Sequence, residues 1–150
     1  MDIKIVEANI EQLDIVTELF NQYMIFYKKP ANKIKYNDYL KKRIENNEAT
    51  IYLALNSENV SLGFVLNYYS FSSVSLGKTI TLNDLFVKSE YRKKGIAEKL
   101  INKTFELAKK VGAIRVDLGT AKDNYTAQKI YERIGFTKDE EFYAYSYNIK

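Results

Sequence analysis

Between Ile80 and Ala97 the chain passes from an apolar, β-rich run, Ile80 to Val87, through the turn Tyr91-Arg92-Lys93-Lys94-Gly95-Ile96-Ala97 into the strongest helical pattern of the sequence. Ala97, Leu100, Ile101, Thr104, Ala108 and Val111 fall on one face of that helix, and Gly112 closes it as a C-terminal glycine does. A buried strand handing over to an amphipathic helix through glycine makes this junction the fixed point of the fold. The first N–H groups of a helix have no helical acceptor, its dipole puts partial positive charge there, and glycine lets a bulky ligand approach the backbone. Arg92, Lys93 and Lys94 add formal charge at the same spot. Two readings fit the turn alone: a phosphate or pyrophosphate site at the start of the 95–111 helix, or a plain helix start with a solvated basic rim.

Elsewhere the periodicity assigns the remaining elements. Ile3 and Ile5 alternate with polar residues as a first strand, and Asn9 with Gln12 three residues on resembles a capping box. Leu13, Val16, Phe20, Tyr23, Met24 and Tyr27 recur at helical spacing, and this helix is expected to end before Pro30. Tyr36, Tyr39, Leu40 and Ile44 indicate a second helix. Thr50 to Leu55 and Leu62 to Tyr69, separated by Asn56-Ser57-Glu58-Asn59, read as a hairpin. The small, polar stretch Phe71 to Gly77 leads into the strand 78–88. Ile114, Val116 and Leu118 form another strand, Asn124 to Ile134 another helix ending at Gly135, and Phe142 to Ile149 a last strand. The order β-α-α-β-β-β-α-β-α-β predicts an α/β (α+β) fold with a mixed, mainly antiparallel sheet and helices on both faces. Residues 1–150 are expected to form a single domain: 46% hydrophobic and 14% aromatic content suffices for a sizeable core.

Composition narrows the chemistry. There is no cysteine and no histidine. Thiolate nucleophiles, disulfides, Cys-based zinc sites and Ser-His-Asp or Cys-His mechanisms are therefore excluded, and no metal is expected. Proton transfer falls to Asp, Glu, Lys, Tyr or water. A formal net charge of +4 with lysines spread along the chain does not read as a nucleic-acid footprint. With no membrane-spanning run and no signal-like N-terminus, no membrane association is expected and a cytoplasmic location is.

The 80–136 region resembles the acetyl-CoA core of the GNAT superfamily of N-acetyltransferases. The likeness rests on an ordered set: a strand ending Asn83-Asp84-Leu85-Phe86-Val87, an R-x-x-G-x-A pattern as Arg92, Gly95 and Ala97, a long helix and a strand, then Asn124, Ala127, Tyr131 and Gly135-Phe136. The resemblance implies a sheet splayed at its centre, and acetyl-CoA as cosubstrate with no metal. In such a fold the backbone amides of Lys93, Lys94, Gly95, Ile96, Ala97 and Glu98 hold the pyrophosphate. Leu85, Phe86 and Val87 pair through their backbones with the pantetheine arm, and a strand N–H near Phe86 polarises the thioester carbonyl. Arg92 belongs to the motif, with a side chain that reads equally well as pointing to solvent, and Asn124 stands where the family often contacts the cofactor arm.

In family members with a tyrosine at this place, Tyr131 would protonate the departing CoA thiolate; on the apolar face of its helix it also reads as a core tyrosine. Asp84 is the candidate base. Alternation puts Ile80, Leu82, Asp84 and Phe86 on one strand face, and a carboxylate among apolar neighbours has a raised pKa. A structural carboxylate paired with an N–H or a cation fits Asp84 as well, and a water chain is the other route for the amine proton. Relatives that include polyamine acetyltransferases carry a glutamate just before the matching aspartate; Asn83 stands there here. The expectation is direct transfer of an acetyl group to a primary amine of a small molecule or peptide, by a monomer or homodimer. A non-catalytic acyl-CoA-binding or regulatory module of the same fold is the alternative, and a basic nucleic-acid-binding domain a third.

Overall fold

A computed structural model describes residues 2–149. The chain divides into two compact units, one running to Gly119 and the other from Thr120 onward. The first contains β1 (Ile3–Ala8), α1 (Leu13–Phe26), α2 (Lys33–Glu45), β2 (Ala49–Asn56), β3 (Ser61–Ser72), β4 (Gly77–Val87), α3 (Ile96–Val111) and β5 (Arg115–Asp117). The second contains α4 (Tyr125–Ile134). The sheet of the first unit has the order β1-β2-β3-β4-β5, antiparallel throughout except for the last pair. Among the described residues no helix is long and apolar enough to cross a membrane.

One face of the sheet carries α1 and α2. Leu13, Val16 and Leu19 of α1 and Leu40 of α2 pack with Ile51, Leu53 and Leu55 of β2, Phe64 and Leu66 of β3, and Phe86 of β4. Before α1, Asn9 Oδ1 accepts from the Glu11 N–H while Gln12 Oε1 accepts from the Asn9 N–H, so the expected capping box is present at the 3-10 turn 10–12 that leads into the helix. The other face carries α3, which packs across β1 to β5. Its buried residues are Ile96, Leu100, Ile101, Thr104, Leu107 and Ala108, with Thr104 Oγ1 donating to the fully buried Asn67 of β3 at 3.1 Å. That bond satisfies two polar groups that burial would otherwise penalise, and it marks which side of β3 faces α3.

The connection 71–77 is tighter than the sequence suggests. β3 runs through Phe71 to Ser72, and only a short turn separates it from β4, so the two form a long hairpin. Phe142 to Ile149, expected as a strand, carries no helix or strand. A strand exists only through a ladder partner, and the described residues from Thr120 onward contain no strand that could pair with it.

Candidate active site

Asp84 owes its position to an irregularity in β4. Leu66 stands opposite Asp84 and Asn67 opposite Leu82, so Asn83 is an extra residue bulging from the β3–β4 ladder. Directly opposed residues share a face. Leu82 therefore lies on the α3 side with Asn67, while Asp84 and Phe86 lie on the α1 side with Leu66 and Phe64. This corrects the expectation that Ile80, Leu82, Asp84 and Phe86 share one face, because the alternation resets at Asn83. The bulge turns Asp84 toward Tyr23 of α1, whose hydroxyl donates to Asp84 Oδ1 at 2.7 Å; Asn83 Nδ2 donates to Oδ2 at 3.0 Å. Burial pushes the Asp84 carboxyl above its ordinary range, and the bonds from Asn83 and Tyr23 hold it back.

Beyond Asp84, no strand among the described residues pairs with the side of β4 turned away from β3. β5 pairs with it only from Thr79 to Thr81. Lys88 N–H donates to Leu62 O at 2.9 Å, and bonding alternates along an antiparallel ladder, so Phe86 turns its N–H and C=O toward β3. A Cβ built on Gly63 of β3 would lie 2.4 Å from Phe86 O, which fits that orientation. Leu85 and Val87 consequently turn their backbone groups to the side that β5 has left. A ligand pairing with this edge meets the N–H of Leu85 or Val87, whereas the sequence-based expectation centred on Phe86.

Val87 O is taken by Arg92. The guanidinium donates from Nε at 2.8 Å, and its carbon lies 5.2 Å from the Phe26 ring centroid and 5.7 Å from that of Phe86. Arg92 thus ties the end of β4 to the end of α1, and its side chain is engaged where the sequence left it free to point to solvent. Lys93 (φ 63°) and Gly95 (φ 81°) both adopt left-handed backbone in the turn that follows. A Cβ added at Gly95 would meet nothing within 4 Å, so the space outside the turn is open. Lys93 and Lys94 are exposed beside it, and the amides of Ile96, Ala97 and Glu98 occupy the first turn of α3. An anion fits this opening.

In the second unit, Asn124 caps α4, its Oδ1 accepting from the Ala127 N–H at 3.2 Å. Tyr131 packs edge-on to Phe136, ring centroids 5.9 Å apart.

A family model described as the Acetyltransferase (GNAT) family matches residues 13–136, most of the chain. The chain belongs to this family. The uncharacterised N-acetyltransferase YhfO of Bacillus subtilis is 35% identical over 144 residues, covering 95% of each chain. The crystal structure of a probable acetyltransferase is 39% identical with a TM-score of 0.92, covering 98% of each chain. An aminoglycoside N-acetyltransferase solved in complex with CoA shares the fold at 18% identity, with a TM-score of 0.83 over 99% of this chain and 96% of that one. The protein is accordingly a GNAT acyltransferase, and acetyl transfer is its general chemistry.

Two features of this GNAT site escaped sequence reasoning. The pairing of Tyr23 with Asp84 left no sign in the sequence, because the two lie 61 residues apart. The bulge at Asn83 left one trace, the adjacent polar pair Asn83-Asp84 inside an otherwise apolar run.

Proposed function

We propose that this protein is an acetyl-CoA-dependent N-acetyltransferase that moves an acetyl group directly onto a primary amine of a small molecule or peptide, with residues 1–150 acting as one catalytic domain. The observation that carries the reading is the meeting of Asp84 with the β4 edge beyond the β5 pairing: a carboxylate raised above its ordinary pKa immediately precedes the residues whose amides face away from β3. Acetyl-CoA fits the two adjoining features, its pyrophosphate at the Lys93–Glu98 turn and its pantetheine amides along Leu85 and Val87, with Asn124 as a further contact. The cosubstrate supplies an activated acetyl thioester.

In this reading Asp84 takes the proton of the attacking amine, directly or through a water. The amine nitrogen bonds to the carbonyl carbon as the C–S bond breaks, and an N–H of the β4 edge stabilises the charge that grows on the carbonyl oxygen. Tyr131 returns a proton to the leaving thiolate, a role suited to a phenol in a chain without histidine. The decisive assay is thiol release from acetyl-CoA against a panel of amines, amino acids, peptides and aminoglycosides. Asp84→Asn is expected to lower turnover at saturating acetyl-CoA by roughly 10²-fold, the usual cost of losing a general base. Turnover within about twofold of the parent would assign the base to another group. Tight CoA binding with no thiol release from any amine would mark a non-catalytic CoA-binding module.

A further inference from the structure

Tyr23 is placed with unusual constraint for a surface-helix tyrosine. Its ring centroid lies 4.9 Å from that of Tyr27, 5.7 Å from Phe64, 5.8 Å from Phe20 and 6.0 Å from Phe86, so aromatic neighbours from α1, β3 and β4 fix its plane. Its hydroxyl then has a set direction, toward Asp84 Oδ1 at 2.7 Å. The Asn83 bulge is what brings the carboxylate to meet it. We infer that Tyr23 is a positioning residue for the transfer reaction, holding Oδ1 of Asp84 while Asn83 holds Oδ2, so that the orientation of the carboxylate is fixed and its anion is favoured. This inference rests on the reading of Asp84 as the base.

A phenol–carboxylate bond at this distance is charge-assisted and favours the anion. One other titratable group feels the charge of Asp84. Tyr68 of β3 is held well above the ordinary phenol range, first by burial and then by its bond to Tyr39 of α2, and the charge of Asp84 adds to this. Arg43, whose guanidinium lies over the Tyr39 ring, acts on Tyr68 in the opposite sense. Asp84 is the carboxyl at this place, and Tyr23 is the phenol that touches it.

The test is a ¹³C NMR titration of the Asp84 carboxyl in the full chain, its resonance assigned by loss in Asp84→Asn, together with the pH profile of kcat/KM for an amine that the parent acetylates. Tyr23→Phe is expected to move the Asp84 midpoint to higher pH and to carry the acid limb of the profile with it. Below that limb kcat/KM falls on the order of tenfold, the weight of one charge-assisted hydrogen bond, while KM for acetyl-CoA is unchanged. Tyr27→Phe, which alters a ring neighbour of Tyr23 and keeps the Tyr23–Asp84 bond, should leave the midpoint in place. An unmoved midpoint in Tyr23→Phe overturns the inference, as does a moved midpoint with an unchanged acid limb. Full turnover in Asp84→Asn instead removes the base assignment on which it rests, so the two failures are distinct.

Discussion

Opposed forces act on Asp84. Burial favours its neutral form, and the hydrogen bonds from Asn83 and Tyr23 favour the anion; burial dominates and the carboxyl is raised. A group whose folded pKa exceeds its unfolded value contributes stability that is full below the unfolded pKa and lost as pH rises through the folded one. Ionisation of this carboxyl as pH rises therefore costs stability. Asp84→Asn keeps the shape and cannot ionise, so its Tm is expected to exceed the parent's at pH 7, with the difference closing below roughly pH 4, the ordinary aspartate range. Thermal melts across that window check it; a variant less stable than the parent at pH 7 would mean that the carboxylate's hydrogen bonds outweigh its desolvation. Raised stability with lost turnover is the pattern expected of a residue kept for function. The sequence made Asp84 legible as a carboxylate within an apolar strand. Which face it takes was hidden, because period-two alternation carries no sign of an inserted residue.

At the scale of elements, legibility followed the strength of local signals. α3 was readable from both ends because Gly95 and Gly112 sit in the left-handed region where other residues are strained, at φ 81° and 73°. The 71–77 connection was read as longer because Ser72, Ser73 and Ser75 are small and polar, yet strand pairing carries β3 and β4 almost to the turn. The end of β5 pairing at Thr81, which opens the β4 edge, depends on where two distant segments part and left no local mark. The turn before α3 supports a direct test. Gly95→Glu puts a side chain and a negative charge into the open space beside Lys93 and Lys94, and costs about 1 kcal/mol of backbone strain at positive φ. The fold should survive that cost, while CoA binding measured by calorimetry should be largely abolished. Unchanged affinity would move the pyrophosphate away from this turn.

Across the whole molecule, charge and ligand act together. The chain carries 23 basic and 19 acidic residues, and exposed Lys93 and Lys94 stand at the α3 turn, where the proposed cosubstrate presents its phosphates. A ligand that binds the folded chain and not the unfolded one stabilises it by mass action, about 2.7 kcal/mol at a hundred times its Kd. For a chain of this length that corresponds to a Tm rise of about 5–10 °C. CoA is expected to produce such a shift in low salt. Raising the ionic strength to roughly 1 M, where the screening length falls to about 3 Å, should shrink the shift by weakening the lysine–phosphate attraction, while the backbone contacts to the anion keep part of it. Tyr23→Phe and Asp84→Asn should show the full shift, since neither residue belongs to the anion turn, and Gly95→Glu should show almost none. Equal shifts in Gly95→Glu and the parent would place the stabilising contacts elsewhere on the surface and leave the α3 turn as a plain helix start.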